Sequence, residues 1–419
     1  MYALIDCNNF YASCERLFRP DLRNKAVVVL SNNDGCAIAR SNEAKELGIK
    51  MGDPYFQIKE FCKENNIHIF SSNYTLYGDL SSRVMGVIEQ SCPDIEVYSI
   101  DEAFIDMKTV AKELREPFCQ DLQKRILKEV GIPTSIGIGS TKTLAKLANH
   151  IAKKKLKTPV FSIDKDSFWL EKIDIRDVWG IGAKLNERLN AQGIYNAREL
   201  AKQNPHLIKS RYNVILMRTV MELQGASCLG LDDPEPKQSI FCAKSFGDMQ
   251  SELSVIEEAL SSYVAKVCEK MRKQNCKAMR IQVFLMSNRF RRDLRQYSNR
   301  MDYQFIHPTN DVRVITGIAK SCLNKIFRKG IYYKKVGFGV LEMMDAHQSQ
   351  GDLFSPMDTS KTERSSKLMK TLDSINKRFG DNTLHVAACG FDRKWALKSD
   401  LCSPAYTTRW SDIPIVKAC

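Results

Sequence analysis

The sequence predicts an α+β protein of several domains, and three observations support this class. The chain has 419 residues, 43% of them hydrophobic, which is enough to fill the cores of three or four domains of ordinary size. Strand-like and helix-like segments are mixed without the regular βα alternation of a doubly wound sheet. Two open polar segments, 231–239 and 345–360, divide the chain into a front, a basic middle and a tail.

Composition narrows the classes of partner. The 63 basic and 49 acidic residues give a net charge of +14, which favours a polyanion such as nucleic acid, although a solvated basic surface remains open. Because no basic leader precedes the 14 cysteines, we expect free thiols in a cytosolic protein. The sequence contains no CxxC pair and no apolar run of membrane-spanning length, so a zinc site and a transmembrane segment are both disfavoured.

The first elements are a strand and a helix. Residues 2–7 are predicted to form a buried strand, and Asn8 or Asn9 to cap a helix that ends near Phe18. Asp6 therefore lies at the carboxyl end of a strand, where many α/β proteins place active-site residues.

A hairpin and two helices follow. Segments 27–30 and 36–39 are predicted strands around the turn 33–35, and 43–47 is a predicted short helix. Asn73 is the predicted cap of a longer helix.

The next predicted strand, Tyr98 to Met107, carries two adjacent acids in an apolar context. Buried carboxylates stay ionised only when they are paired or bind a metal. Asp101 and Glu102 point to opposite faces of an ideal strand, so a shared ion requires a hairpin tip or a bulge there. Oxygen ligands suit Mg²⁺, and with Asp6 they could hold two ions. A solvated or arginine-bonded strand end is the alternative.

The glycine-rich stretch after residue 134 is a predicted strand, 135–139, followed by a helix that Ser140 or Thr141 caps. Gly137 and Gly139 could begin a GxGxxG dinucleotide-binding loop, but Lys142 stands in place of its third glycine, so the sequence does not predict a dinucleotide site. We expect its small residues to allow close backbone approach instead.

Two basic segments are candidates for DNA backbone binding. "WGIGAKL" (179–185) is typical of the glycine turn of a helix-hairpin-helix, with Gly180, Gly182 and Lys184 at a phosphate. "RFRRDLRQYSNR" (289–300) is the densest arginine cluster, and a charged sheet edge is its alternative. The arginines that we expect at the duplex are Arg289, Arg291, Arg292 and Arg295.

Four motifs occur in a specific order: "DCNNFYASCER" (6–16), "YSIDEAF" (98–104), "GIGSTKTLAKLAN" (137–149) and "DVWGIGAKLNERL" (177–189). Together they resemble the Y-family translesion DNA polymerases, and the resemblance covers essentially the whole chain.

The resemblance implies a right-hand polymerase with palm, fingers and thumb, a little-finger domain and a C-terminal tail. The implied limits are 1–12 and 79–165 for the catalytic palm, 13–78 for the fingers, 166–231 for the thumb, 232–240 for a linker, 241–343 for the little finger, and 344–419 for a clamp-binding linker and C-terminal partner-binding region.

The resemblance also implies site residues. Asp6, Asp101 and Glu102 match the metal-binding carboxylates, with the Cys7 carbonyl as a further ligand of two Mg²⁺. Positions that match nucleotide contacts are Phe10, Tyr11, Arg40, Lys45 and Lys153, with Tyr11 as the ring that excludes a ribose 2′-hydroxyl. Ala39 and Asn42 stand where some relatives carry a hydroxyl and a tyrosine for the phosphates, so the triphosphate contacts there differ.

Two tail segments are candidate partner sites. Gln350, Leu353 and Phe354 are similar to the peptide that binds the sliding clamp. In 367–379 an apolar face at helical spacing predicts a helix that docks on the protein itself or on an accessory subunit; the face is Leu368, Leu372, Ile375 and Phe379.

The implied activity is error-prone synthesis opposite damaged template in the bacterial SOS response, in the cytoplasm at the nucleoid. The implied partners are primer-template DNA, dNTP, the sliding clamp, a processed accessory dimer of the UmuD type and a recombinase filament. A non-catalytic DNA-binding scaffold is the rival, which three intact carboxylates disfavour. Another two-Mg²⁺ palm enzyme would predict neither the glycine turn nor the arginine cluster.

Overall fold

The computed structural model describes residues 1–232, 236–348, 359–392 and 395–415. Two compact units are present: Met1–Pro234 together with Asp400–Cys419, and Glu235–Ser399. The first division falls in the predicted linker 232–240, and the second lies inside the predicted tail. The limits of palm, fingers and thumb within the first unit stay predictions.

The first unit is a mixture of strands and helices. Its strands are β1 (Tyr2–Cys7), β2 (Val27–Leu30), β3 (Ala37–Arg40), β4 (His68–Ser71), β5 (Ile95–Val97), β6 (Glu102–Asp106), β7 (Thr134–Gly139) and β8 (Val160–Ile163). Its helices are α1 (Phe10–Leu17), α2 (Asn42–Glu46), α3 (Tyr55–Glu64), α4 (Tyr74–Ser91), α5 (Arg115–Val130), α6 (Lys142–Ile151), α7 (Trp169–Lys172), α8 (Ala183–Asn190), α9 (Ala197–Ala201), α10 (Pro205–Arg211) and α11 (Val214–Leu223).

A five-stranded sheet in the order β5-β6-β1-β7-β8 forms the centre of this unit. β1 pairs antiparallel with β6 and β7, and β7 pairs parallel with β8. Ala3 and Ile5 pack with apolar residues of α4 and α5, whereas Leu4 on the opposite face packs with Ala145 of α6. Successive side chains of a strand point to opposite faces of the sheet, so these contacts show that helices cover both faces. The mixture of helices and a mostly antiparallel sheet confirms the α+β class.

The predicted hairpin is confirmed in a smaller sheet of order β3-β2-β4. Asn33 and Asp34 turn the chain between β2 and β3 with φ of 61° and 48°, a left-handed conformation that Asn and Asp tolerate. β4 pairs parallel with β2, and Cys402 of the C-terminal segment forms a parallel bridge with Ser71 of β4. The segment 400–415 thus reaches the edge of this sheet.

Local side chains cap several of the helices. Thr141 accepts a hydrogen bond from the Leu144 amide at 3.2 Å, and Asn73 accepts one from Leu76 at 3.2 Å, so both predicted caps are confirmed. Asn9 stands at the predicted cap position of α1, but its φ is 50° and its side chain makes no capping bond.

The predicted strand 98–107 was too long at its start. Residues 98–101 form the bend between β5 and β6, and β6 begins at Glu102. The Ser99 hydroxyl accepts from the amides of Asp101 and Glu102 at 3.2 and 3.1 Å, which favours a turn over an extended chain. The hairpin tip that the paired acids required is therefore present.

The predicted close backbone approach after residue 134 is confirmed. A Cβ on Gly137 would lie 2.8 Å from the Asn149 Cα, and one on Gly139 would lie 2.5 Å from the Ala145 amide nitrogen. Only glycine lets α6 pack this closely on β7.

The second unit has its own sheet, in the order β11-β10-β12-β9. The strands are β9 (Ile240–Gln250), β10 (Cys276–Ser287), β11 (Ser298–Thr309) and β12 (Tyr333–Asp345), and the helices are α12 (Leu253–Lys273), α13 (Val312–Ile326) and α14 (Thr359–Phe379). Apolar residues of α12 and α13 form one core with the sheet.

The predicted helix in the tail is confirmed as part of α14, but the predicted docking face was wrong in part. Met369 is buried in the core of the second unit, and Asp373 receives two hydrogen bonds from Arg272 at 2.6 and 2.7 Å. Leu368 and Phe379 are instead 42% and 65% exposed. The ion pair between Arg272 and Asp373 determines which face of α14 packs on α12, and the spacing of apolar residues alone could not show this.

No helix in the described part of the chain is both long and apolar enough to cross a bilayer. The described cysteines are all free thiols, as expected.

Candidate active site

Two of the predicted carboxylates lie directly opposite each other. The register of β1 and β6 pairs Asp6 with Glu102, so both side chains leave the same face of the sheet. Asp101 lies at the bend just before Glu102, and its carbonyl accepts a hydrogen bond from the Cys7 amide at 2.9 Å. The structure therefore brings the three acids to one end of the sheet.

Each acid has a polar partner. Lys153, in the turn after α6, contacts the Asp6 carboxylate, and Lys146 of α6 lies 2.9 Å from Glu102. Ser99 donates a hydrogen bond of 2.6 Å to Asp101. Cations thus neutralise two of the three carboxylates in this structure.

Burial is the main influence on the charge of Asp6. Burial raises the pKa of Asp6 to about 6, and the nearby Glu102 and Asp101 add to that rise although Lys153 opposes it. A further cation near Asp6 would stabilise the charged form of this buried carboxylate.

The donor set fits a hard divalent cation. It offers carboxylate and backbone oxygens, which Mg²⁺ prefers. Burial raises the pKa of the Cys7 thiol above its usual range, so the thiol stays neutral and only its carbonyl is a suitable donor. Within the described residues no three His, Cys, Asp or Glu side chains converge as ligands of one ion, and Asp6 and Glu102 instead contact Lys153 and Lys146.

Sequence reasoning missed the setting of Lys146. Its ammonium lies 4.3 Å from the Tyr98 ring centre, 5.2 Å from Trp179 and 5.8 Å from Phe104. Three aromatic faces and one carboxylate hold the cation in place. Trp179 lies far in sequence from Tyr98 and Phe104, so no local pattern indicates the complete cage.

The two aromatic residues after Asp6 occupy different environments. Phe10 is only 4% exposed and packs in the core, so it supports α1 and does not line the open site. Tyr11 is half-buried and stacks on Tyr77 with ring centres 4.4 Å apart and a 15° interplanar angle. Of the two, Tyr11 is the ring that a nucleotide can reach.

Basic side chains gather beside the acids. Burial lowers the pKa of Lys45, and the charges of Arg40, Lys153 and Lys154 lower it further, which places all four within electrostatic range. Lys154 was not predicted, although the run of lysines at 153–155 was a signal. Such a cluster is suited to a triphosphate.

The glycine turn differs from the predicted helix-hairpin-helix in its first arm. A single 3₁₀ turn, Ile175–Asp177, precedes it, and α8 follows. Gly180 has φ of +87°, and Gly182 is the N-cap of α8, so exposed amides lead into this helix. Lys184 is exposed on the first turn of α8.

The arginine cluster of the second unit forms the connection between β10 and β11. Arg291 donates a 2.6 Å hydrogen bond to Asp293, whereas Arg292 and Arg295 are exposed. Phe290 is 79% exposed, with the Arg289 guanidinium 4.9 Å above its ring. The proposed clamp residues, Gln350, Leu353 and Phe354, lie outside the described residues.

Family comparisons agree with this architecture. The model of the impB/mucB/samB family matches residues 5–150, and the model of its C-terminal domain matches 237–353. A domain of unknown function (DUF4113) matches 366–416.

Individual relatives span the full chain. Protein UmuC of Salmonella typhimurium is 42% identical over 425 residues, covering 100% of both chains, and protein ImpB of the same organism is 40% identical with the same coverage. DNA polymerase IV of Desulfatibacillum aliphaticivorans is 26% identical and covers 92% of this chain and 95% of its own.

Solved structures share the fold. A Y-family DNA polymerase chimera of Dbh and Dpo4 has a TM-score of 0.66 at 22% identity, covering 81% of this chain and 98% of its own.

The fold and the family match define a Y-family, DNA-directed DNA polymerase, as the sequence motifs predicted. The chain belongs to the impB/mucB/samB family and is a translesion polymerase similar to UmuC along its entire length.

Proposed function

We propose that this polymerase extends a primer 3′ end opposite damaged template with two Mg²⁺ held by Asp6, Asp101, Glu102 and the Cys7 carbonyl. The observation that carries the proposal is the register that sets Asp6 against Glu102, with Asp101 at the adjacent bend. When bound, the ions stabilise charge on the attacking and leaving oxygens of phosphoryl transfer.

The lysines have two roles in this proposal. Lys153 and Lys146 pair with the Asp6 and Glu102 carboxylates before the metal arrives. Lys153, with Lys45 and Arg40, then neutralises the triphosphate and holds its charge during transfer. Asn42 contributes indirectly, since it accepts a hydrogen bond of 3.0 Å from Asn9, which in turn contacts Lys45.

Sugar selection falls to Tyr11. Its ring is held by stacking on Tyr77 and by edge contact with Tyr74 at 6.2 Å. A fixed aromatic face beneath the incoming sugar leaves no room for a 2′-oxygen.

DNA is bound through its backbone. The amides after Gly180 and Gly182 and the side chain of Lys184 contact one phosphate region, and the β10–β11 arginines contact another. Because phosphates carry no base identity, the binding is independent of sequence and weakens as salt rises.

The cellular setting rests on similarity to UmuC. We assign the protein to the SOS response and to the nucleoid of a bacterial cytoplasm. Its proposed partners are the sliding clamp, through Gln350, Leu353 and Phe354, a processed UmuD-type dimer and a recombinase filament.

The test is primer extension on intact and abasic templates with Asp101→Asn. Asp106→Asn is the matched control, because Asp106 lies at the far end of β6, the strand that directly follows Asp101, and pairs with Lys108 at 3.1 Å. We expect Asp101→Asn to lose at least about 100-fold in extension rate while its affinity for DNA is retained.

The alternative outcomes are equally specific. Extension by Asp101→Asn at the wild-type rate would remove the metal assignment. If the wild type binds DNA but extends no primer, even with the accessory dimer, the scaffold reading becomes the better one.

A further inference from the structure

Glu15 of α1 is a buried carboxyl group that the proposed mechanism does not use. Its side chain is fully buried, and Oε1 accepts hydrogen bonds from the Tyr77 hydroxyl at 2.6 Å and the Ser403 hydroxyl at 3.2 Å. Oε2 has no hydrogen-bond partner in the described structure. A buried carboxyl with so few donors depends on each of them.

One of these donors comes from the C-terminal segment, 388 residues away in sequence. Leu401 pairs with β4, donating to Ser71 Oγ and accepting from the Ser71 amide, both at 3.0 Å. Asn73 donates to Ser403 Oγ at 3.0 Å, so the residue that caps α4 also holds this segment.

The far side of the segment is fixed by aromatic stacking. The Tyr406 ring lies 4.6 Å from Phe18 at the end of α1, with an interplanar angle of 9°. Residues 400–406 are therefore attached at three places: the β4 edge, the start of α4 and the end of α1. We call these residues the strap.

A continuous set of contacts leads from the strap to the nucleotide site. Ser403 bonds Glu15, Glu15 bonds Tyr77, and the fully buried Tyr77 ring stacks on Tyr11. The Tyr77 hydroxyl donates its hydrogen bond to Glu15 at 2.6 Å, so Glu15 holds the outer end of the ring that stacks on Tyr11.

We propose that the strap, through Ser403 and Glu15, positions the Tyr77 ring behind Tyr11 and so contributes to selection of the nucleotide sugar. This inference rests on the proposed role of Tyr11. A ring excludes an added oxygen only while it cannot recede, and Tyr11 can recede only if Tyr77 moves. Glu15, Tyr77 and Ser403 are thus positioning residues, and none of them touches the substrate.

The test measures the ratio of ribonucleotide to deoxyribonucleotide kcat/KM. Ser403→Ala removes the strap donor, and Tyr77→Phe keeps the ring but removes its hydroxyl. We expect each to raise the ratio by about two- to tenfold, the effect of one net hydrogen bond. Ser403→Thr retains a hydroxyl and should stay near the wild type, as should Ser411→Ala, which alters an exposed position after the strap.

This ratio distinguishes a positioning role from a purely stabilising one, because partial unfolding lowers kcat/KM for ribonucleotides and deoxyribonucleotides by the same factor. Tyr11→Ala is the reference. If it raises the ratio while Ser403→Ala and Tyr77→Phe leave it unchanged, the strap inference is overturned and the role of Tyr11 stands. If Tyr11→Ala leaves the ratio unchanged, the proposed role of Tyr11 fails, and the inference fails with it.

Discussion

At the scale of single residues, the acids of the first unit balance their charge in two different ways. Asp6 and Glu102 face lysines, which a divalent ion can replace. Glu15 faces only hydroxyl groups, which cannot neutralise it. Asp6 and Glu102 are therefore suited to binding a cation, and Glu15 is suited to holding neighbouring side chains in place.

Glu15 gives a prediction with a definite sign. Burial raises its pKa against the opposing hydrogen bonds from Tyr77 and Ser403. The folded state therefore retains this proton at pH values where the unfolded chain, with a glutamate pKa of about 4.3, has lost it. Stability from this group is fully present below the unfolded pKa and is lost as pH rises through the folded pKa.

Glu15→Gln removes that pH dependence while keeping an oxygen that accepts from Tyr77. We expect the free energy of unfolding of the variant, relative to the wild type, to increase as the pH rises above about 4.3, the glutamate pKa of the unfolded chain. Urea unfolding at several pH values measures the difference. A difference that stays constant with pH would contradict the assignment.

The sequence indicated Asp101 and Glu102 because charge in an apolar segment demands an explanation, and it indicated Asp6 by its place at the end of a strand. It did not indicate Glu15 or Lys146. Their partners, Ser403 and Trp179 among them, lie far away in sequence, and only the folded chain brings them together.

At the scale of elements, the contact between β7 and α6 depends on glycine. Gly137→Ala would place a methyl group 2.8 Å from the Asn149 Cα, where only backbone can move to relieve it. We expect a loss of about 3 kcal/mol or more in the free energy of unfolding. Thermal or urea unfolding measures it.

Gly86→Ala is the matched control. Gly86 lies in α4, and nothing lies within 4 Å of a Cβ built there. The same substitution should stabilise the protein by about 0.5 to 1 kcal/mol, because alanine favours a helix. Equal effects at the two positions would refute the close-approach argument.

The connection between β10 and β11 gives a prediction about salt. Arg292→Ala should reduce the slope of log Kd against log salt by about 1, the value for one lost phosphate contact. Arg291→Ala should change it less, because Arg291 already bonds Asp293 at 2.6 Å. Fluorescence anisotropy with labelled duplex measures both slopes, and an unchanged slope for Arg292→Ala would exclude that contact.

Elements were predictable where short-range signals define them. The hairpin of β2 and β3 and the caps Asn73 and Thr141 follow from neighbouring residues. The docked face of α14 was not predictable, because Asp373 pairs with Arg272, which lies 101 positions away. Long-range ion pairs leave no periodic pattern in the sequence.

At the scale of the whole molecule, the chain passes between its two units twice, within 232–236 and between Ser399 and Asp400. The first passage was predicted from the polar linker. The second passage, at Ser399 and Asp400, is not marked by a polar linker. The sequence instead favoured the open segment 345–360 as a boundary, but α14, which follows that segment, packs in the second unit. A boundary inside ordinary sequence becomes visible only from contacts.

This double passage has a consequence for biosynthesis. The strap leaves the ribosome only after residues 236–399, a delay of roughly 10 to 30 s at about 5 to 20 residues per second. During that interval the nascent first unit already holds Asp6, Asp101 and Glu102, but Glu15 lacks Ser403 and the edge of β4 lacks Leu401. This unit is thus completed only after the whole second unit has been translated, and a chain that stalls in the second unit exposes an unpaired strand edge.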